Sequence, residues 1–420
     1  MSSMSEGGTP AGGQPSGERR GLAALVFDAK ARSLFFQAIL AVAILALIWM
    51  AIGNAADNLA AQNKEFGFGF FDRPSDIQIL TTFGTWLVGY APGQNTVFDV
   101  FLVGIANTLI VSIAGIIFAT FWGFLLGIFR LSQNFVLRGF ATIYVELLRN
   151  IPLLLQIFFW TAVLRIIAPS QRGTYSTLIP GLFQFDAKGI YGPYPVTSAG
   201  FGIVALSVLV AIAAAVFYGK HAKKKQDATG QPSPVGLVSA ALIIGIPVVV
   251  FFIMDRPLSI EWPNFVSDGP VLRRGFERGV GSYIAPEFMA LFLALATYTA
   301  AFIAEIVRAG IQAVPKGQSE AASALGLPKG VAMRKVILPQ AFRVIVPPLT
   351  SQYLNLTKNS SLAAAIGYPE LVAVFAGTTL NQVGRAIEII AIVILVYLVI
   401  SLLTSSFMNW FNNRVKLVER

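Results

Sequence analysis

Groups able to do chemistry are scarce in this sequence. The 420 residues include one histidine, His221, and no cysteine. A zinc–thiolate centre, a disulfide framework and a cysteine nucleophile are therefore excluded. His221 lies in Gly219-Lys220-His221-Ala222-Lys223-Lys224-Lys225, which reads as a solvated loop and gives no support to haem, zinc or histidine-based catalysis. No Gly-x4-Gly-Lys-Ser/Thr phosphate loop occurs, so the chain is not its own ATPase by that chemistry. What remains is charge and polarity set within apolar sequence. Glu305 and Arg308 are three residues apart, and Glu146 and Arg149 repeat that spacing. On a helix such residues share a face and can pair. Both pairs fall near the ends of apolar runs, where a structural or gating ion pair is the expected role. A second polar group, Asn355, Lys358, Asn359 and Ser360, lies inside an apolar run, where its donors and acceptors need partners.

The elements holding these residues follow from composition. Hydrophobic residues make up 55% of the chain and charged ones only 12%, against about a quarter charged in a soluble domain. With a mean hydropathy of +0.69, much of the surface must face lipid. Soluble enzyme, disordered adaptor and fibrous protein are set aside. The net charge of +10 does not signal nucleic acid, because Lys and Arg fall in the gaps between apolar runs rather than in one stripe.

A helix needs about 20 apolar residues to cross roughly 30 Å of hydrocarbon. Eight candidates lie near 34–53, 98–129, 148–168, 200–218, 235–254, 285–308, 342–366 and 386–410. In the seventh, Pro347-Pro348 is expected to interrupt the helix, and the polar residues need protein or water around them. Residues 1–33 are a Gly-, Ser- and Pro-rich tail expected to be disordered, and the run from Leu34 to Ile52 starts too far in for a secretory signal, so it reads as an uncleaved anchor. The short gaps holding Arg130 and Arg138, then Lys220 to Lys225, then Lys316 to Lys335, are read as cytoplasmic. Arg256, Arg273, Arg274 and Arg278 in an opposite gap weaken the pattern, while Arg414, Lys416 and Arg420 support it, and both termini are expected inside. Residues 54–96, 169–199 and 255–284 then face outward, as plain connections or as a small docking surface. Trp49 and Trp410, near span ends, suit an interfacial aromatic belt.

One inner gap is distinct. Ser319 to Leu325 is Ala-rich and helix-forming, Gly326 supplies a left-handed stop, and Pro328 suits the start of a second helix running to about Leu338. The spacing is restrictive: Glu320-Ala321-Ala322, Gly326 six residues after the Glu, and Leu338-Pro339 twelve and thirteen residues after the Gly. Small side chains at Ala321 and Ala322 are expected to allow another protein close.

This pattern resembles the signature loop of the membrane subunits of bacterial ABC-type importers, with Val336 where the family usually has Ile. The segments 146–156, 299–310 and 355–371 are similar to the polar amino-acid permease branch, and the enlarged layout resembles its general L-amino-acid permeases. The resemblance implies an all-α integral membrane protein of the type I importer permease fold, in a bacterial inner membrane. It implies a coupling loop over 318–340, a permease core of 97–168 and 285–410, an extra first span with its outer loop over 34–96, an insertion over 169–284 and an inner tail over 411–420. It implies a permease subunit of an ATP-driven, binding-protein-dependent amino-acid importer that forms half of the pathway and has no catalytic site of its own. Its partners would be a cytoplasmic ABC ATPase, which binds the ATP and Mg, a second permease as heterodimer, a periplasmic amino-acid-binding protein and the bilayer. This chain would carry no cofactor and bind no nucleic acid. ATP binding would act through Glu320–Pro339 to close the inner side. Asn355, Lys358, Asn359 and Ser360 then become candidate pathway residues for a carboxylate and an ammonium. The alternatives are an ion-gradient-driven secondary amino-acid transporter, a membrane-embedded enzyme and a structural scaffold.

Overall fold

The computed structural model describes residues 29–61, 67–169, 174–231, 233–268, 274–277 and 280–415. The tail reading for residues 1–28, and Arg273, Arg278, Lys416 and Arg420 of the charge pattern, lie outside the described residues. The chain divides into two compact units, residues 1–68 and 69–420.

The first unit contains α1 (Ala29–Ala61). Leu34, Ile39, Leu45 and Trp49 are all exposed on it. An apolar helix with its large side chains uncovered is built to face lipid.

The second unit begins with a segment that carries α2 (Phe83–Val88). Tyr90 ties this segment together by donating its hydroxyl to the Ile77 carbonyl at 2.8 Å. Then come α3 (Val97–Arg130), α4 (Phe135–Asn150) and α5 (Leu153–Ile167). The strands β1 (Ser176–Ile179), β2 (Phe183–Asp186), β3 (Gly189–Gly192) and β4 (Tyr194–Thr197) lead into a hairpin of α6 (Phe201–Thr229) and α7 (Val235–Ile253). After it come β5 (Leu258–Glu261), β6 (Phe265–Val266), β7 (Gly275–Phe276) and β8 (Ser282–Ile284). The chain continues through α8 (Pro286–Gln312), α9 (Lys316–Ala324), α10 (Lys329–Ala332), α11 (Leu338–Asn359), α12 (Leu380–Val383) and α13 (Ala386–Val415).

Among the described residues six helices are long and apolar enough to cross a membrane, namely α1, α3, α6, α7, α8 and α13. The pair α4 and α5, bent by 109° at Ile151-Pro152, supplies a seventh span if taken together. The span expected at 148–168 therefore straddles a bend: Leu148 to Asn150 end α4, and Pro152, with no N–H to continue the ladder, starts α5. The remaining candidate, the seventh at 342–366, corresponds to α11, which is not among these helices. It runs unbroken through Pro347 and Pro348, contrary to the expected interruption. Both prolines lie on its exposed side, so their rings have room and the free carbonyls one turn back can be met from outside the helix.

The loops 169–199 and 255–284, read as plain connections or as a small docking surface, pair with each other. The sheet β1-β2-β3-β8 joins one loop to the other, and β4 pairs with β5 across the hairpin. Tyr191 stacks on Phe276 at 4.2 Å, which gives these short strands a small aromatic core.

The main core is formed where α3, α5, α8 and α11 bury Val111, Ile157, Leu291, Leu295, Ile303, Ile345 and Leu356. Its tightest seam is α3 against α8. A Cβ added at Gly123 would stand 2.7 Å from the Ile303 Cβ and 2.9 Å from the Ala300 carbonyl oxygen, and one at Gly127 would stand 2.7 Å from the Val307 Cβ. Ala294, Ala300, Ala301 and Ala304, all fully buried, continue this small-residue surface along α8. In lipid, helix association relies on such close packing rather than on expulsion of water. Gly123→Val should therefore lower stability by about 1–3 kcal/mol through overpacking. Gly139→Ala, where nothing lies within 4 Å, should be neutral or gain up to roughly 1 kcal/mol of helix propensity. Thermal unfolding of the two variants in detergent checks the contrast.

Candidate functional site

Three groups of residues converge on the core built by α3, α8 and α11. The first is the turn after α8. Pro315 opens α9, accepting from the Gln318 N–H at 3.0 Å. At the far end Gly326 takes φ +70°, which an L side chain adopts at a cost. Its N–H donates to the Ser323 carbonyl at 2.9 Å and the Leu327 N–H to the Ala322 carbonyl at 3.1 Å. Those two bonds form a complete Schellman cap, so the left-handed stop read at Gly326 is present. Pro328 then caps α10, accepting from Val331 and Ala332 at 2.9 and 3.0 Å.

The second arm does not end at Leu338. It passes through a π turn, Met333–Ile337, and becomes α11 without a break. Pro339 supplies the reason: it has no N–H to donate and its ring crowds the carbonyl four residues back, so the ladder shifts register there. The Leu338 N–H donates to the Met333 carbonyl. Gln340 adds a tie between the arms, donating to the Gln318 side chain at 3.1 Å. Leu325 at the tip is 79% exposed, and Glu320, Ala321, Lys329, Arg334 and Lys335 are exposed around it. Ala322 is buried, as is Ala332. Ala321 is thus exposed, whereas Ala322, expected to let another protein close, packs within its own chain.

The second group is ionic and differs from the sequence expectation. Glu305 and Arg308 do pair, at 2.5 and 3.1 Å, and Arg308 reaches on to Gln312 at 2.6 Å. Glu146 and Arg149 do not pair. Glu146 faces Arg130 at 3.6 Å, and Arg149 lies over the Phe302 ring at 5.2 Å. Arg130, the last residue of α3, also pairs directly with Glu305. The cause is the bend at Ile151-Pro152, which makes Glu146 and Arg149 the end of α4, packed beside α3 and α8, rather than the head of a span. Arg130 is the hub that joins three helices at one level. Spacing within a single helix gave no signal for it.

The third group is the polar side of α11. Asn355 and Lys358 are exposed, one helical turn apart, in line with Ser351 and Pro347-Pro348. Asn359 is partly covered. Ser360 is fully buried and donates to the Thr357 carbonyl at 2.7 Å, so its hydroxyl is used within its own chain. Tyr353 meets Thr120 of α3 at 2.9 Å on another side.

Sequence reasoning assigned no role to Gly367 or Glu370. A 3₁₀ turn, Ser360–Ile366, leads to Gly367 at φ +79° and then to Glu370. Glu370 is fully buried. Its carboxylate accepts from the N–H groups of Val372 and Ala373 at 2.8 and 2.7 Å and from the Tyr397 hydroxyl at 3.0 Å. It caps the π helix Val372–Thr379. The signal was a Pro369-Glu370 dipeptide just after a glycine, which marks a helix start rather than a loop.

Residues 232–417 match the family of binding-protein-dependent transport system inner membrane components. The chain is 47% identical over 395 residues to the general L-amino acid transport system permease protein AapQ of Rhizobium johnstonii, covering 94% of this chain and 95% of that one. It is 47% identical over 390 residues to the putative amino-acid ABC transporter permease protein YhdX of Escherichia coli, covering 93% and 95%. With the glutamate/glutamine/aspartate/asparagine transport system permease protein BztB of Rhodobacter capsulatus it shares 39% over 429 residues, covering 95% and 97%. The chain belongs to this family of ABC transporter permeases. It is a multi-pass inner-membrane permease subunit of a binding-protein-dependent transporter, with the type I permease fold, and the family implies an ATPase and a binding protein as its partners. The ion-gradient alternative receives no support.

The ionic geometry is open to a direct measurement. A double-mutant cycle between Arg130→Gln and Glu305→Gln should give a coupling of about 1–3 kcal/mol in unfolding experiments in detergent, and a cycle between Glu146→Gln and Arg149→Gln should give about zero.

Proposed function

We propose that this permease forms half of the translocation pathway of an amino-acid importer. The named activities of the three relatives, all of them amino-acid permeases by name, support that substrate class. The other half would come from a second, different permease, and the loaded binding protein would dock on the outer side. Both termini lie inside in this reading, as do Arg130 and the turn at Gly326. The permease core is 97–168 with 285–410, and 34–96 and 169–284 are additions to it. ATP and Mg belong to the partner ATPase, and this chain moves substrate without breaking or making a covalent bond.

One observation carries the mechanism: the exposed tip at Gly326 is continuous with α11. The 22 residues of α11 form a rod about 33 Å long. An ATPase gripping Glu320, Ala321, Leu325 and the basic second arm would move that rod as one body. Leu338 and Pro339 sit where the arm becomes the rod. The Arg130–Glu305–Arg308 cluster holds α3, α4 and α8 together beside it, so the rod moves against a fixed frame. The outward polar side of α11, with Asn355 and Lys358, faces the pathway or the second permease. Asn359 sits at its margin, and Ser360 holds the turn at its end.

Purification of the tagged chain from its host should bring down an ATPase and a second permease. Gly326→Asn, which tolerates the left-handed conformation, should retain the ATPase. Gly326→Pro cannot adopt φ +70° and loses the N–H bond to Ser323, so recovered ATPase should drop about tenfold. Recovery of the wild-type chain alone and stable would overturn the proposal. In reconstituted vesicles, Lys358→Met should leave ATP hydrolysis intact and reduce binding-protein-dependent amino-acid uptake about tenfold, the loss of one charged hydrogen bond. Unchanged uptake would remove Lys358 from the pathway.

A further inference from the structure

At the opposite end of α3 from Arg130 lies a buried amide that nothing above employs. Asn107 is fully buried. Its Oδ1 accepts from the Gly84 N–H of α2 at 3.0 Å, and its Nδ2 donates to the Pro369 carbonyl at 2.8 Å. The two partners have opposite polarity, so the amide can be oriented in only one way. Each partner would otherwise be a buried backbone group without a bond, which costs more than the bond itself contributes. One residue thus satisfies two segments that are far apart in sequence.

The surroundings are shaped to this contact. A Cβ at Gly84 would stand 2.5 Å from Asn107 Oδ1, and one at Gly104 would stand 2.9 Å from the Leu371 Cα. Thr108 accepts from the Leu371 N–H at 3.2 Å, so the chain is pinned on both sides of Glu370. α2 is itself stiff, because Thr82 and Thr85 cap each other reciprocally. On its outer side Trp86 meets Tyr194 of β4 edge-on at 6.0 Å. A continuous path therefore runs from the strand layer through Trp86, α2 and Asn107 to Pro369, and back along the 3₁₀ turn into α11.

We infer that Asn107 is a positioning residue that couples the outer strand layer to the far end of α11. Displacement of α2 by a partner docked on the outer side is passed to the Pro369–Glu370 break through the two bonds of this amide. The same rod that carries the Gly326 turn at one end is thereby held at the other end by a contact sensitive to the outside. The inference rests on the transport reading above.

The test uses the whole transporter in lipid nanodiscs, with ATP hydrolysis followed against the concentration of loaded binding protein. Asn107→Asp keeps the acceptor for Gly84 but cannot donate to Pro369. Asn107→Leu removes both bonds at similar volume. Both variants should show basal hydrolysis within about twofold of wild type, an unchanged half-saturating concentration of binding protein, and a maximal stimulation reduced about tenfold. Gly84→Ala, which pushes the amide from the other side, should reproduce the effect and serves if the Asn107 variants do not assemble. Stimulation equal to wild type in all three would overturn the inference. So would a parallel fall in basal rate, stimulated rate and melting temperature, the mark of a purely structural amide. Absence of stimulation in the wild-type complex would instead count against the transport reading itself.

Discussion

The seam between α3 and α8 is the constraint on which the other contacts depend. Gly123 and Gly127 bring the two backbones so close that side chains of α8 lie against the α3 main chain. With that distance fixed, Arg130 at the end of α3 falls within reach of Glu305. Further back along α3, Gly115 meets Leu356, which seats α11 in the same core. At its beginning, Asn107 and Thr108 hold the chain around Glu370. One helix therefore carries a charged junction at one end, an apolar seat in the middle and a polar clamp at the other. In lipid this order is physically sensible, since polar groups cannot be satisfied by solvent and must be satisfied by protein.

Against that frame α11 is built to be both rigid and partly uncovered. Its prolines do not break it, because they lie on the exposed side. Pro339 relaxes the ladder into a π turn at the point where the second arm of the Gly326 turn enters. A helix with its adjustment at the end, and none in the middle, transmits displacement instead of absorbing it. At its other end the 3₁₀ turn and the left-handed Gly367 allow a change of direction, and Glu370 restarts the helical backbone by supplying acceptors for N–H groups that have none. Ser360 and Glu370 bond to the backbone, whereas Ser351, Asn355 and Lys358 remain exposed along α11.

Six of the eight candidate spans and the Gly326 turn were legible in the sequence because both rest on local rules: an apolar run long enough to cross lipid, and a glycine where φ must be positive. The pairing of Glu305 with Arg308 was legible for the same reason. Glu146 and Arg149 were not, although their spacing is identical. Which helix face a charge sees depends on the bend at Ile151-Pro152, and the i,i+3 rule says nothing about a third partner such as Arg130. Asn107 was invisible for a further reason. A lone amide in a long apolar helix reads as tolerated polarity, and its two backbone partners lie 23 and 262 residues away. Paired strands in 169–199 and 255–284 were missed because each has four residues or fewer, too short to show an alternation.

Those short strands account for how the chain accommodates the segment 169–284 between α5 and α8. β4 and β5 flank the α6–α7 hairpin directly, and β3 and β8 pair just beyond them. The segment is thus zipped in nested, antiparallel order, so its two ends are held together by its own hydrogen bonds. Ser207, Ala211, Ala215 and Ala222 are the buried residues of α6, while α7 buries none, so α6 supplies the small-residue seam of this hairpin. Closing a loop of this length costs entropy that grows only slowly with length, and the ladder of strand bonds offsets it locally. α8 can then start at Pro286, two residues after β8, in the position the α3 seam requires. The segment also brings Tyr194 against Trp86, so the element that closes the insertion is the one that touches α2. Through that contact the strand layer has a route by α2 and Asn107 towards α11, beside its direct chain connection through β8 into α8.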